Sequence, residues 1–405
     1  MTPPSASRPP EDDEPRLDGR PFIEANSQER SRYGRFNLAI IGGTGVGKSS
    51  LVNAVFGRDF ARVGKGLPVT SGVHYYQDEH LGIWDFEGFE IGSSTSPGEA
   101  LRAHLSTIAA RPRGEQIAVV WYCVNASADR LTQPDIDMIQ ELDAAGLPVI
   151  LVLTKVQWIK HPISGRQRAT PDTEEFRDWL ESPVDADGNR IALPVKAVML
   201  TAAYGPHGKG AGHGLGDLVT KTLELAPDSD KDAFRIVQRL NLPWKRAMAR
   251  PVIAQASSAA AAAAAIPVPV ADAAVLAPIQ LAMMGRLAAI YDLEFKSMLS
   301  ESALAQLSTQ LTGQALARSL IKVVPGVGSV VNATVAAALT AAAGTAWLRL
   351  CEHLHTGKID QSQISGAWRD YSPTVVDVVK KLVTQRAGRK SPGAQIHIAK
   401  VEAEA

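Results

Sequence analysis

Gly42-Gly-Thr-Gly-Val-Gly47-Lys48-Ser49 decides the fold. The stretch satisfies GxxxxGK[ST] at every defined position, and the physics asks for these residue types. Glycine lets a backbone turn tightly around an anion with no Cβ in the way. Consecutive amides then point at the anion, and a helix starting there adds the positive end of its dipole. Lys48 is expected as a surface charge reaching the β- and γ-phosphates of a nucleotide, and the Ser49 hydroxyl as a magnesium ligand. Gly42, Gly43, Thr44, Gly45, Val46, Gly47 and Ser50 complete the expected phosphate cradle. The flanks agree. Phe36-Asn-Leu-Ala-Ile-Ile41 is a short apolar run that predicts a buried strand, and Ser49 to Phe56 predicts a helix.

Two more signals lie downstream. Trp84-Asp85-Phe86-Glu87-Gly88 ends an apolar run. Asp85 is expected to hold magnesium through water, and the Gly88 amide to meet the γ-phosphate. Thr70, in Leu67-Pro-Val-Thr70-Ser-Gly72, falls between the first helix and the next strand. Its hydroxyl is expected to complete the magnesium shell from a switch loop, with Ser71 the nearest competitor.

Further strands are predicted at Val73–Gln77, Leu81–Asp85, Ile117–Val124, Val149–Thr154 and Val195–Leu200. Helices are predicted at Glu99–Ala110, Gln133–Ala145 and Leu215–Leu225, with another around Thr173–Leu180 inside the insertion 157–190. Strands alternating with helices imply an α/β fold, a three-layer domain with a mostly parallel sheet. After Pro227 the character changes. Residues 231–250 carry Lys231, Arg235, Arg239, Lys245, Arg246 and Arg250, and Pro251–Ala271 carries no charge at all. A helical pattern follows around Leu281–Leu311, and a second uncharged run covers Val323–Leu348. The expected organisation is a disordered tail over 1–33, the α/β domain over 34–226, a basic connecting helix over 227–253, an Ala-rich helical domain over 254–385 and a disordered tail over 386–405. The acidic run Glu11-Asp-Asp-Glu14 and the lack of apolar residues motivate the first tail.

Lys plus Arg equals Asp plus Glu, 42 each, so no overall field is available to hold nucleic acid. Two cysteines, Cys123 and Cys351, are too few for a disulfide scaffold and fit a reducing, cytoplasmic setting.

With GGTGVGKSS, Pro68-x-Thr70, DFEG, Thr154-Lys155 and Thr201-Ala202-Ala203 in this order, residues 35–226 resemble the Era-like branch of the Ras-type P-loop GTPases. The resemblance implies a G domain that binds GTP or GDP with Mg2+ and hydrolyses GTP. It implies that Lys155 lies along the purine ring and that the Ala202 amide, between Thr201 and Ala203, meets guanine O6. Two positions depart from the family. The base motif reads Thr154-Lys155-Val156-Gln157 where NKxD is usual. The Thr154 hydroxyl can still bond to the phosphate loop. Gln157 offers one acceptor oxygen where Asp would accept from both N1 and N2 of guanine, which keeps ATP open as an alternative. Phe89 follows Gly88 where Ras-like enzymes carry a water-orienting Gln, so the Ras-like arrangement is excluded there. The C-terminal half, through Ile266–Asp272, Gln280–Met284 and Val324–Asn332, resembles a helical domain of unknown function found after such GTPase domains.

The expected function is a nucleotide switch with a low hydrolysis rate, linked to the helical domain and to an unknown protein effector. Two readings of the C-terminal helices stay open. Ala- and Gly-rich helices can bury one another. The 26 uncharged residues of Val323–Leu348 also exceed the roughly 20 that span a bilayer, and the basic run before them suits a membrane surface. Pro267, Pro269, Pro278 and Pro325 are expected to interrupt these runs.

Overall fold

A computed structural model of the protein describes residues 19–57, 67–70, 72–86, 96–160, 165–205, 211–265, 272–293 and 329–360. Its contacts divide the chain into two compact units. Among the described residues, one comprises 27–248 and 289–293, and the other comprises 19–26, 249–265, 272–288 and 329–360.

The first unit is built on a sheet. Its strands are β1 (Phe36–Ile41), β2 (Leu67–Thr70), β3 (Val73–Gln77), β4 (Leu81–Phe86), β5 (Val119–Asn125), β6 (Val149–Thr154) and, further on, a strand at Ala197–Leu200. Two hairpins stand apart from the sheet, β7 (Trp158–Lys160) with β8 (Gln167–Ala169), and β10 (Ala202–Tyr204) with β11 (Ala211–His213), so the strand at 197–200 is β9. The sheet order is β2-β3-β4-β1-β5-β6-β9. Pairs β4–β1, β1–β5, β5–β6 and β6–β9 are parallel, while β2 and β3 add an antiparallel edge.

Helices cover both faces. After α1 (Arg20–Arg30), whose first turns belong to the other unit, they are α2 (Lys48–Phe56), α3 (Pro97–Ala109), α4 (Gln133–Ala144), α5 (Pro171–Glu181), α6 (Leu215–Leu225) and α7 (Lys231–Val237). Alternate strand residues separate the two faces. Ala39, Ile41, Trp84, Phe86, Val120, Tyr122, Leu151 and Leu153 join Leu101 and Leu105 of α3, Ile139 and Leu142 of α4 and Phe176 of α5 in one core. On the opposite face Trp121 stacks on Phe56 of α2 at 6.0 Å and donates its indole N–H to Thr222 Oγ1 of α6 at 2.9 Å. Phe36 lies 4.7 Å from Phe234 of α7. The three-layer α/β architecture expected from the sequence is present. Strand β1 is where it turns, because its two parallel neighbours, β4 and β5, lie on opposite sides.

Several sequence expectations need correction. The stretch 1–33 is not a disordered tail throughout, since Arg20–Arg30 is helical. Phe22 of α1 is fully buried and meets Trp347 edge-on at 6.1 Å, so a single aromatic anchors a polar helix. Residues 227–253 are not one connecting helix. The structure has α7, then a break, then α8 (Leu242–Ala264). Ala233, Phe234, Ile236 and Val237 are buried, and the basic residues turn outward, Lys231 to Asp228 and Arg235 to Asp232. Thr70 ends the edge strand β2, with a register shift between Pro68 and Thr70, where a loop was expected. Pro at an edge forfeits no needed ladder bond. Finally, Pro278 does not break the chain but lies inside α9 (Asp272–Ile290), as Pro251 lies inside α8. A proline in a helix loses one bond, and packing of the apolar helix offsets that loss.

The second unit is helical. It contains most of α8 and α9, the first turns of α1, and α10 (Ser329–His355). Trp347 donates to Met284 O at 2.9 Å and Asn26 Nδ2 to Gly285 O at 3.0 Å, so buried polar groups tie α10 and α1 to α9. The expected tail 386–405 and the run 323–328 lie outside the described residues, as does the stretch 294–311 of the expected helical pattern.

Candidate functional site

Open parallel sheets bind ligands at the carboxyl ends of their strands, where strand order reverses. Here that point is the end of β1, and Gly42–Gly47 occupies it. Gly42 has φ 147°, and a Cβ on it would overlap the Cys123 carbonyl of β5. Gly47 has φ 109° and opens α2 in the left-handed region, so only glycine starts this helix without strain.

Side chains hold the loop from below. Lys48 Nζ donates to Gly42 O at 2.8 Å, Lys155 Nζ to Gly45 O at 2.6 Å, and Thr154 Oγ1 to Val46 O at 2.6 Å. Thr154 also reaches Val124 O at 3.2 Å, joining β6 to β5. The bond expected from the Thr154 hydroxyl to the loop is therefore present. Lys48 is corrected in one respect. It is not a surface charge but is 8% exposed, packed at the first turn of α2. Ser49 is exposed there, with Thr44, Gly43 and Gly45 also open to solvent and Val46 and Ser50 half-buried.

Asp85 stands one residue from the end of β4, level with Ile40 of β1 and His74 of β3. Burial pushes the Cys123 thiol up to about 12, with Lys48 opposing and Asp85 reinforcing that shift. Lys48 and Asp85 thus both act on one buried thiol under the loop. Cys123 was not singled out by the sequence reading, and an apolar strand context gives no signal for it. The described part of β2 contains the Thr70 backbone. Gly88, Phe89 and Ser71 lie outside the described residues.

The base-side motifs come from neighbouring strand ends. Thr201 N donates to Leu153 O at 2.8 Å, its hydroxyl to the same oxygen at 3.0 Å, and Val156 N to Thr201 O at 3.0 Å. Lys155 has φ 56°, unusual for a side chain with a Cβ. Its ammonium bond to Gly45 and the Val156–Thr201 bond hold it there. Gln157 is exposed, Ala202 is buried and Ala203 is half-buried. Thr154, Lys155, Thr201 and Ala202 are therefore gathered at one end of the sheet with the glycine loop.

Among the described residues no group of three His, Cys, Asp or Glu side chains is arranged to hold a metal. The Ser49 hydroxyl and the Asp85 carboxylate are hard oxygen donors, the chemistry that Mg2+ takes.

Comparison with known proteins bears on both halves. Residues 37–155 match a family model described as 50S ribosome-binding GTPase, and residues 229–388 match one described as a domain of unknown function. A probable GTP-binding protein EngB from Mycoplasmopsis agalactiae is 29% identical over 156 residues, 38% of this chain and 79% of that protein. Solved structures with similarity include a probable GTP-binding protein engB, at TM-score 0.31 and 17% identity, covering 47% of this chain and 97% of that one. Another is an Aquifex aeolicus Era variant bound to GDP.AlF4-, at TM-score 0.30 and 18% identity, covering 56% and 67%. The cytosolic domain of T. maritima FeoB gives TM-score 0.27 and 13% identity, covering 79% and 99%. The chain joins a P-loop GTPase G domain to a C-terminal domain of unknown function.

Proposed function

We propose that this protein binds GTP and GDP with Mg2+, hydrolyses GTP slowly, and works as an Era-like switch that signals through its helical domain to a protein effector. The observation that carries the reading is the glycine loop at the reversal point of the sheet, bonded to Thr154 and Lys155 of the base motif. In this reading the loop amides from Gly42 to Ser50 cradle the phosphates. Lys48 leaves the Gly42 carbonyl for the β- and γ-phosphates. Ser49 and Asp85 hold Mg2+, joined by Thr70 in the triphosphate state, and the Gly88 amide meets the γ-phosphate. Bound Mg2+ supplies charge neutralisation on the phosphates. Lys155 covers the purine, Gln157 meets its edge, and the Ala202 amide, framed by Thr201 and Ala203, favours guanine O6. Catalysis is then charge stabilisation by fixed donors rather than proton transfer by a side chain.

Calorimetry with GTP, GDP and ATP side by side, with and without Mg2+, tests this. GTP and GDP should bind more tightly than ATP, and Mg2+ should strengthen GTP most. An outright preference for ATP overturns the GTPase reading.

A second reading, a nucleotide-gated membrane-associated protein, is favoured by α10. Its segment Ala333–His355 is 23 residues long, enough by length and composition to cross a bilayer. About 56% of its most apolar stretch is buried, as in the core helix of a soluble unit. Flotation with anionic liposomes, with GDP and with a non-hydrolysable GTP analogue, separates the readings.

A further inference from the structure

The two segments assigned to the base leave adjacent strands, β6 and β9, and the bond from Val156 N to Thr201 O is the last backbone rung described between them. Beyond it each segment folds into its own hairpin. Gln157 O accepts from Thr170 N at 3.2 Å, which closes the β7–β8 hairpin directly behind the base motif. Ala202 pairs with His213, which closes the β10–β11 hairpin behind the second motif. Gly212 lies so close to the Ala202 and Ala203 carbonyls that a Cβ would overlap both of them. The second hairpin is thus folded tightly back on the segment that carries the Ala202 amide.

A side-chain rung continues where the backbone ladder stops. The Trp158 and His213 rings lie 5.3 Å apart and tilted by 34°. Trp158 directly follows Gln157, and His213 stands directly opposite Ala202. Trp158 also packs on the main core. Its indole N–H is buried and makes no hydrogen bond, so packing alone sets the ring, and His213 is one wall of that packing.

We propose that Trp158 and His213 are positioning residues for guanine selectivity, fixing the spacing between the Gln157 edge and the Ala202 amide. The proposal rests on the GTP-binding reading above and deepens it. Gln157 is flexible and has one acceptor where a carboxylate would have two. Its contribution depends on how well its backbone is held before the base arrives. The amide at Ala202 discriminates guanine O6 from an adenine amino group only if it stands at hydrogen-bond distance from the base. The ring contact fixes both. The phosphate loop is bonded separately, through Thr154 and Lys155, so it does not depend on the rings.

The test compares full-length protein with His213→Ala, His213→Thr and His213→Phe, titrated with GDP and ADP under one Mg2+ concentration. His213→Ala should lower the GDP-over-ADP ratio roughly fivefold, the scale of one aromatic contact, mainly by weakening GDP. His213→Phe, which restores a ring, should return the ratio to that of the natural protein. Should the alanine variant be unfolded by circular dichroism, His213→Thr gives the same reading with better strand propensity. The difference in tryptophan emission between the natural protein and Trp158→Phe should shift with GDP and not with ADP. If the natural protein prefers guanine and truncation at 213 leaves the ratio unchanged, or if Phe fails to rescue it, the proposal is overturned and the GTP-binding reading stands. If the natural protein binds GDP and ADP equally, this proposal falls and GTP binding stands; if it prefers ADP outright, the GTP-binding reading falls with it.

Discussion

Lys48 concentrates the chemistry at the residue scale. It is the only described cation in the glycine loop's first helical turn, and its ammonium is kept in place by the Gly42 carbonyl. Lys48→Ala should abolish triphosphate binding with the fold intact, because the hydrogen bond it loses is replaced by water at the loop. Retained micromolar GTP affinity by calorimetry with Mg2+ would sink the site assignment. Beneath it, Cys123 makes a pH prediction with a definite sign. Its thiol is held up at about 12, against 9.0 for an ordinary cysteine. Above pH 9.0 the unfolded chain gives up this proton while the folded protein keeps it. The stability that this thiol contributes is therefore full below pH 9.0 and is lost as the pH climbs to about 12. Cys351 is pushed the same way by burial, so each thiol contributes its own part. Cys123→Ala should flatten the fall in urea midpoint between pH 9 and 11 relative to the natural protein. Identical slopes would mean that the thiol does not stay protonated. Iodoacetamide should also leave both thiols unmodified in the folded protein and modify both in urea, since both are buried.

Among the elements, α7 is the one whose role the sequence hid. Phe234 is fully buried between Phe36 of β1 and Phe56 of α2. Phe234→Ala should destabilise the sheet unit by about 3–5 kcal/mol, the usual cost of a buried aromatic cavity, measured by urea unfolding. A loss under about 1 kcal/mol would return α7 to the status of a connector, since exposed positions cost no more than that. The contrast with β1, β4, β5 and β6 shows what a sequence can reveal. Strands covered on both faces are continuous apolar runs, and Val73–Gln77, Val149–Thr154 and Leu215–Leu225 come out with the expected ends. The glycine loop is legible because all its residues are contiguous. Seven residues of α7 are too few for a periodic pattern, and Lys231, Arg235 and nearby Arg239 give it a basic look. Phe22 is one anchor in an otherwise polar α1. Hairpins of three-residue strands have no room for alternation. Trp158 and His213 are neighbours only through two separate hairpins far apart in the chain, so no local pattern announces them. Within the site, Thr154 bonding to the loop was legible from chemistry, and the burial of Lys48 and Cys123 was not.

At the scale of the whole molecule, five residues from late in the chain complete the G-domain unit. Residues 289–293 cluster with 27–248, and two buried cations explain why. Lys245 is fully buried and donates to Ile236 O, near the end of α7, and to Ile290 O at 3.3 Å, the end of α9, with the Tyr291 ring 5.6 Å away. Helix carboxyl ends carry partial negative charge, so one ammonium suits two of them. Arg30 bridges Glu79 at 2.7 Å and Asp292 at 3.2 Å, and Arg30 and Asp292 side chains are only 6% and 3% exposed. Glu79 sits in the turn between β3 and β4, the strands that lead from Thr70 and to Asp85. A charged pair this deep behaves differently from a surface bridge. Removing one charge leaves the other buried with weaker compensation, whereas removing both is far milder. Asp292 has φ 53°, which Asn also adopts without added strain. Asp292→Asn therefore removes the charge and little else. It should destabilise the unit by about 1–3 kcal/mol in urea. The double variant Arg30→Met with Asp292→Asn should lose less than the sum of the two single changes, because the second substitution removes the cation that the first left undercompensated. If the effects simply add, or if Asp292→Asn costs nothing, then 289–293 is held by packing around Tyr291 and not by charge.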